Sequence, residues 1–269
     1  MELSDIIGYV LAVLVGISLG LMGSGGSILT VPILVYVFGI SPVLATAYSL
    51  FIVGITALTG TIRNILHKEI DFKKVLVFGI PSIISVFLTR LLLVPEIPEK
   101  LFSVGSFEVT KSVAIMVLFA FVMIFSAISM LKSGQNDNRK PSSHSKFSYP
   151  TFLILGIFIG IVAGLVGAGG GFLIIPALVI LGKTPMKTAM ATSLCIVAIQ
   201  SLVGFSGDLQ ITENIDWKLI VVFSAASVFG IFIGLALSKQ VPSTKLKKGF
   251  GWFVLSVALY IIVKEFIFQ

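Results

Sequence analysis

Cysteine, histidine and charged residues are all scarce in this sequence. Its 269 residues include one cysteine and two histidines, and only 12% are Asp, Glu, Lys or Arg. A single cysteine excludes an internal disulfide framework and a cysteine-rich metal or redox site. Soluble domains carry about 25% charged residues, so this chain is expected to have lipid as its solvent. Hydrophobic residues make up 57% of the chain, and the mean hydropathy is +1.10.

The start of the chain lacks basic residues. No Lys or Arg occurs in residues 1–5, before the first apolar run. A cleaved signal peptide needs a positively charged start. We therefore expect the first apolar segment to belong to the mature protein.

Long apolar runs make up most of the remaining sequence. A membrane-spanning helix needs about 20 apolar residues. Six runs fit one span each, at roughly residues 43–62, 74–94, 112–131, 187–206, 218–237 and 249–267.

Two further runs, residues 6–40 and 149–182, are too long for one straight span. A helix of about 35 residues would measure about 52 Å, against a hydrocarbon core of about 30 Å. Each run carries a glycine cluster near its middle, where a helix can break. The pattern predicts two half-helices joined by a glycine turn in each run, with the second half-helix beginning near Ser27 or Phe172.

The two glycine clusters belong to an internal duplication. Residues 20–32 align with residues 164–176, and the Ala-Tyr-Ser-Leu at 47–50 aligns with Ala-Thr-Ser-Leu at 191–194. An Ile-Asp-aromatic-Lys sequence likewise recurs at 70–73 and 215–218, so the offset stays near 144 residues with one-residue slips.

The duplication predicts three parts. Residues 1–131 form a first transmembrane repeat, and residues 149–269 form a second. The polar stretch at 132–148 is rich in Ser, Asn and Lys, which is typical of a linker.

Loop charge predicts the orientation of the spans. Cytoplasmic loops are rich in Lys and Arg, and the loops near 63–74 and 238–248 and the linker are basic. The loop near 207–217 is acidic and the loop near 95–111 has few bases, so both are expected outside. The glycine-broken runs must then cross the membrane zero times or twice, and their short arms favour re-entrant hairpins.

The fold class follows from the number of membrane crossings in each repeat. We predict an all-α polytopic protein of the cell inner membrane, built from two inverted-topology repeats. Each repeat has one glycine-broken re-entrant helical hairpin and three transmembrane helices. The linker is expected in the cytoplasm and both termini on the extracytoplasmic side.

The glycine turns predict an anion site. The first N–H groups of a helix lack intrahelical partners and carry the positive end of the helix dipole. Two such ends that meet near the membrane midplane would bind an anion, whereas close helix packing by small residues is the alternative. The candidate residues are Gly23, Ser24, Gly25, Gly26 and Ser27 in the first repeat, and Gly167, Ala168, Gly169, Gly170 and Gly171 in the second.

Polar residues on the next span of each repeat are expected to flank these turns. Ser49 and Ser193 are favoured because both copies retain them, and Gln200 because an amide is costly to bury without a partner. Any of them could instead hydrogen-bond its own helix. Secondary candidates are Thr46, Tyr48 and Thr192.

Three charged residues have simpler interpretations. Arg90 lies about a turn inside the outer end of its span, where it could balance an anion, but snorkelling to the interface is favoured. Asp71 and Asp216 each begin a span, and we predict that they are helix N-caps.

These motifs resemble the TauE/SafE family of sulfite exporters. The likeness rests on the duplicated glycine hairpin with its following proline, the Ala-x-Ser-Leu stretch and the Ile-Asp-aromatic-Lys sequence, and it covers nearly the whole chain. It implies export of sulfite, sulfonates or related small sulfur oxyanions from the cytoplasm. The family often has a glycine shortly before Ile-Asp, where this chain has Glu69 and Asn214, and Ser27 replaces the third glycine of the second cluster.

A secondary transporter of a small sulfur-containing anion is therefore the predicted function. An anion channel, or a transporter of another small anion, is the alternative. No Asp, Glu or His lies near the middle of a predicted span, which disfavours a carboxylate proton relay. An anion leaving a negative cell interior gains about 2.3 kcal/mol per charge per 100 mV, which favours export.

Other functions and partners are not expected. An intramembrane serine hydrolase would need a base near Ser24, but His67 and His144 lie in predicted loops. We predict no enzyme activity, cofactor or metal. Anionic lipids account for the net charge of +7 without nucleic acid. The sequence does not fix the oligomeric state, and a homodimer is one assembly that it allows.

Overall fold

The computed structural model describes residues 3–104, 107–133, 149–210, 215–238 and 243–267. The predicted linker lies outside the described residues from position 134 onward, as do parts of the loops predicted at 207–217 and 238–248. Within the described ranges the chain is helical apart from loops and one short antiparallel hairpin. Its strands are β1 (Lys100–Val104) and β2 (Phe107–Thr110), and they lie where an irregular outer loop was expected.

The helices coincide with the predicted apolar runs, and most of the helices extend a few residues beyond the ends of these runs. In chain order they are α1 (Leu3–Met22), α2 (Thr30–Tyr36), α3 (Pro42–Leu66), α4 (Phe72–Glu96), α5 (Lys111–Ser133), α6 (Tyr149–Val166), α7 (Gly171–Ile180), α8 (Met186–Asp208), α9 (Trp217–Leu237) and α10 (Ser243–Ile267). A 3₁₀ segment, Gly23–Leu29, joins α1 to α2. Helix α4 contains two π-helical turns, Val75–Gly79 and Thr89–Leu93.

Seven helical segments of the described chain are long and apolar enough to cross a membrane. They are α3, α4, α5, α6, α8, α9 and the run Ile6–Tyr36. Large apolar side chains such as Phe121 and Ile154 lie exposed on their outer faces, which a bilayer would cover. The predicted helical, multi-pass membrane protein is thus confirmed. Helix α10 is not among the seven, and its crossing stays a prediction.

Both glycine-broken runs turn back on themselves. The rings of Tyr9 and Phe38 lie 5.6 Å apart between centroids, whereas one straight helix would separate these residues by about 44 Å. In the second repeat, the ring of Phe152 lies against Gly182 in the equivalent way. The chain therefore forms a helical hairpin in each repeat.

The turns begin at Gly23 and Gly167. These glycines have φ angles of +67° and +71°, in the left-handed region that favours a residue without a Cβ. Helix α7 then begins at Gly171, next to the predicted Phe172. In the first repeat the α-helix begins at Thr30, three residues after the predicted Ser27, because the 3₁₀ segment comes first.

The two repeats are interlocked into one core. Helix α1 packs along α9, and its counterpart α6 packs along α4. Helix α3 packs on α8, and α5 packs on α10. Each of these eight helices therefore packs most extensively on a helix of the other repeat, and exchanging the repeats reproduces the same set of pairs.

Glycines allow the closest of these approaches. Gly16 and Gly20 on α1 face α9, and Gly230 and Gly234 on α9 face α1. A Cβ added at Gly230 would overlap the backbone carbonyl oxygen of Val13. Such pairs of small residues four positions apart let two helix backbones touch within a membrane.

Gly230→Ala should therefore destabilise the protein, because the added methyl group must push α1 away from α9. Overpacking of this kind costs about 1–3 kcal/mol, and the melting temperature in detergent would report it. Gly249→Ala is the matched control, since no atom lies within 4 Å of a Cβ there. Equal melting temperatures for the two variants would contradict the close approach of α1 and α9.

Candidate functional site

The two glycine turns meet in the centre of the fold. We call residues 23–27 the first tip and residues 167–171 the second tip; all ten residues are buried. The hydroxyl of Ser27 donates a hydrogen bond to the carbonyl oxygen of Ala168 at 2.5 Å. In the counterpart contact, Gly171 packs directly against Ser24. The structure therefore brings together all the tip residues that the sequence singled out.

Ser49 and Ser193 occupy equivalent places beside the tips, but with different partners. The hydroxyls of Ser193 and Ser24 are hydrogen-bonded to each other. By the repeat alignment, Ser49 would face position 168, which is an alanine and has no hydroxyl. The buried Ser49 hydroxyl accordingly has no hydrogen-bond partner among the described residues. A buried polar group of this kind calls for an explanation, and a bound ligand is one.

Gln200 holds the second tip in place. Its Nε2 donates to the carbonyl oxygen of Gly169, and its Oε1 accepts a hydrogen bond from the Ser82 hydroxyl at 2.8 Å. Its counterpart in the first repeat is Thr56, which bonds only the carbonyl oxygen of Ile52 in its own helix. Gln200 therefore supports the tip backbone through Nε2, while Ser82 on α4 holds the Oε1 end of the amide.

Thr46 supports the second tip by packing. Its hydroxyl donates to the Val43 carbonyl oxygen in its own helix at 2.7 Å, and its side chain lies against Gly167. The first tip has the counterpart contact, in which Gly23 packs against Met190. The space beside Gly23 and the space beside Gly167 are therefore each filled by a side chain of the other repeat.

Tyr48 and Thr192 link the repeats through backbone contacts. The hydroxyl of Tyr48 accepts a hydrogen bond from the backbone N–H of Asp216 at 2.8 Å, and that of Thr192 accepts one from the backbone N–H of Asp71 at 3.0 Å. These are counterpart bonds, and each fixes the start of a helix in the other repeat.

The carboxylates of the same two aspartates cap the helices that follow. Asp71 accepts from the backbone N–H of Lys74, and Asp216 accepts from the backbone N–H of Leu219. The N-cap predictions are therefore confirmed. With their backbone N–H groups held by the opposite repeat, both helix starts are fixed relative to the tips.

Three further buried hydroxyls, which were not among the leading candidates, have no hydrogen-bond partner in the described part of the chain: those of Thr30, Ser201 and Ser224. Ser201 lies beside Gly169 of the second tip. Thr30 directly follows the 3₁₀ segment of the first tip. Sequence reasoning could have ranked Ser201 higher, because it adjoins Gln200 on the same span.

A cavity of 560 Å³ leads to the first tip from one side of the protein. Gly23 and Met190 lie at its inner end, and the ends of α3, α8 and α9 form its walls. The charged or titratable residues that line it are Arg63, His67, Glu69 and Lys187. The Lys187 ammonium and the Glu69 carboxylate lie 2.6 Å apart and connect the two repeats.

Arg90 does not snorkel, and that prediction was wrong. Its side chain is fully buried, and its Nη1 lies 3.4 Å from Oδ1 of Asp208. Asp208 belongs to helix α8 and is buried, whereas the sequence placed it in an exposed outer loop. The opposite charge explains the difference, because a buried guanidinium needs a carboxylate partner. The signal available in the sequence was an acidic residue directly after an apolar run.

The residues of the site contain no metal-binding constellation. In the ranges that the structure covers, no group of three or more His, Cys, Asp or Glu side chains is placed to hold a metal ion. The chemistry available at the tips is therefore hydrogen bonding from hydroxyl and backbone N–H donors.

Comparisons with known proteins point to one family of membrane transporters. The chain is 27% identical to a probable membrane transporter protein of Xylella fastidiosa, with 93% of this chain and 91% of that protein covered. It is 26% identical to the probable membrane transporter protein YunE of Bacillus subtilis (90% and 91% covered) and 29% identical to MJ0441 of Methanocaldococcus jannaschii (88% and 89% covered). No solved structure matches the chain at a significant level.

The family match covers almost the whole chain. The family model described as sulfite exporter TauE/SafE matches residues 9–261, which include both hairpins and both tips. The chain therefore belongs to the sulfite exporter TauE/SafE family.

Proposed function

We propose that this protein is a secondary transporter that exports a small sulfur-containing anion, sulfite or an organosulfonate, through a site between the two tips. The observation that carries the proposal is the contact between the tips in the buried centre of the fold. The family name adds sulfite as the first substrate to test.

The second tip supplies backbone donors for an anion. Helix α7 begins there, and the N–H groups of Leu173 and Ile174 already bond the Gly170 carbonyl oxygen. The N–H groups of Gly171 and Phe172 are the donors that remain at the helix start. They carry the positive end of the helix dipole, which attracts an anion.

Hydroxyl groups complete the proposed site. Ser49 and Ser201 contribute hydroxyls that have no partner among the residues described. At the first tip, the Ser24 hydroxyl shares a hydrogen bond with Ser193 and the Ser27 hydroxyl donates to Ala168, so an anion has to displace these partners to bind there. Helix α2 has only seven residues and follows a 3₁₀ segment, so the first tip offers side-chain donors more than a helix end. The two tips thus make one asymmetric site.

In our proposal, the cavity connects this site to the cytoplasm. Cytoplasmic loops and the helix ends beside them are basic, and the helix ends and loops beside the cavity contain Arg63, Lys68, Lys183 and Lys187. In this orientation the hairpins are re-entrant, the repeats are inverted, and both termini lie outside the cell membrane. Basic walls raise the local concentration of anions at the cavity mouth, and the membrane potential then favours their exit.

A flux measurement tests the function directly. Proteoliposomes loaded separately with sulfite, methanesulfonate or sulfoacetate should release one of them at a saturable rate, and an inside-negative potential should speed that release. Linear flux together with single-channel currents would identify an anion channel instead. Absence of flux for every sulfur anion would reject the proposed substrate class.

Ser49→Ala should weaken substrate binding without loss of folded protein, because the hydroxyl has no protein partner to lose. One hydrogen bond to a charged group is worth about 1.5–3 kcal/mol, so KM should rise by roughly ten- to a hundredfold. Ser224→Ala on α9 is the matched control, since its buried hydroxyl is also without a partner in the described residues. An unchanged KM for Ser49→Ala would remove this residue from the site.

The inverted arrangement can be tested with single cysteines in a Cys195→Ala background. Ser41 and Pro185 are exposed counterparts that follow the two hairpins. Ser41→Cys should react with a membrane-impermeant thiol reagent from outside intact cells, and Pro185→Cys only after the cells are opened. Reaction of both cysteines from the same side would contradict inversion.

A further inference from the structure

The Arg90–Asp208 ion pair lies on the side of the protein opposite the cavity. The cavity contacts Glu69, just before α4, and Lys187, near the start of α8. Arg90 and Asp208 lie near the other ends of these same helices. The distance from Lys187 to Asp208 along α8 is about 32 Å at 1.5 Å per residue. The ion pair and the cavity mouth are therefore at opposite ends of the proposed pathway.

The repeat alignment relates the ion pair to the cavity wall. Asp208 is the counterpart of Asn64, and Arg90 is the counterpart of Leu235; both counterparts line the cavity. Local packing supports this alignment, because Gly60 contacts Leu194 and Ile231 while its counterpart Gly204 contacts Leu50 and Val86. Where one side of the protein has an open cavity, the equivalent place on the other side is thus filled by a guanidinium and a carboxylate.

The ion pair satisfies only part of its hydrogen-bonding capacity. A single contact of 3.4 Å joins Nη1 to Oδ1. Nε and Nη2 of Arg90 and Oδ2 of Asp208 are buried with no partner in the part of the chain that is described. Separating the pair would therefore break one long contact, the 3.4 Å hydrogen bond from Nη1 to Oδ1. All the N–H groups of the Arg90 guanidinium would then be available to an anion.

The backbone at Arg90 departs from the repeat pattern as well. Arg90 lies in the π-helical turn Thr89–Leu93, whereas the counterpart helix α9 is a regular α-helix through Leu237. Single π-helical turns within α-helices occur frequently at functional sites. The deviation sets this end of α4 apart from the equivalent end of α9.

We propose that the Arg90–Asp208 pair closes the outer half of the pathway and separates to form an outer cavity equivalent to the one lined by Asn64 and Leu235. Arg90 then binds the departing oxyanion through its freed guanidinium, and Asp208 takes the anion's place when the outer side is closed. This inference rests on the proposed transport function. A guanidinium fork matches two oxygens of a sulfonate or sulfite group, as it matches a carboxylate.

Thiol labelling tests the closure independently of transport. In a Cys195→Ala background, Met190→Cys lies in the open cavity and is only partly buried, whereas Leu50→Cys, the counterpart of the cavity-lining Leu194, is buried on the closed side. A water-soluble methanethiosulfonate reagent should label the first and spare the second. Adding Asp208→Asn should raise the labelling rate of Leu50→Cys by about tenfold or more, because the closed state loses its ion pair. An unchanged rate would overturn the proposed closure.

A double variant separates closure from general loss of structure. Arg90→Leu with Asp208→Asn recreates the Leu235 and Asn64 pair that the fold already accommodates on the cavity side. It leaves no unpaired buried charge, so the melting temperature should stay near that of the parent protein. The labelling rate of Leu50→Cys should still rise. If it does not rise in this folded variant, the ion pair has only a structural role.

Protection by an anion tests the role of Arg90. External methanesulfonate or sulfate should slow the labelling of Leu50→Cys in the Asp208→Asn protein, which retains the guanidinium. The same anions should give no protection in the double variant. Equal protection in both variants, or in neither, would overturn anion binding by Arg90. The flux of the unmodified protein separately decides the proposed transport function.

Discussion

The structure depends on burying two interrupted helices away from lipid. A broken helix exposes backbone N–H and C=O groups that hydrocarbon cannot satisfy, so irregular backbone at membrane depth must be enclosed by protein. Here each tip is enclosed by helices of its own repeat and by the other tip: Ser27 bonds Ala168, and Gly171 packs on Ser24. Helix pairs formed between the two repeats surround that central contact. So do the hydrogen bonds that the Tyr48 and Thr192 hydroxyls accept from the backbone of the opposite repeat. The same exposed donors that must be enclosed are those that can bind an anion.

Differences between the repeats are concentrated where the proposed function needs them. Ala168 in place of a serine leaves the Ser49 hydroxyl free of described partners, and Gln200 in place of a threonine supports only the second tip. Arg90 and Asp208 replace an apolar residue and an amide on one side only. One side of the protein therefore has a buried ion pair where the equivalent place on the other side has uncharged residues.

The glycine breaks and the aspartate caps could be predicted from the sequence because both depend on local backbone chemistry. The β1–β2 hairpin was missed, although residues 100–104 and 107–110 contain β-favouring residues on either side of Gly-Ser. The Arg90–Asp208 pair was missed for a different reason. The residues lie 118 positions apart, and only the packing of α4 on α8 brings them together. Repeat alignment predicts equivalent places but says nothing about a contact formed by residues that differ between the copies.

Equilibrium binding of radiolabelled sulfite to the purified protein tests the central claim most directly. If the two tips together form one site, dialysis should show one saturable site per chain, and unlabelled methanesulfonate should compete for it. Two equivalent sites per chain would mean that each tip binds its own anion. Absence of saturable binding would contradict an anion site between the tips.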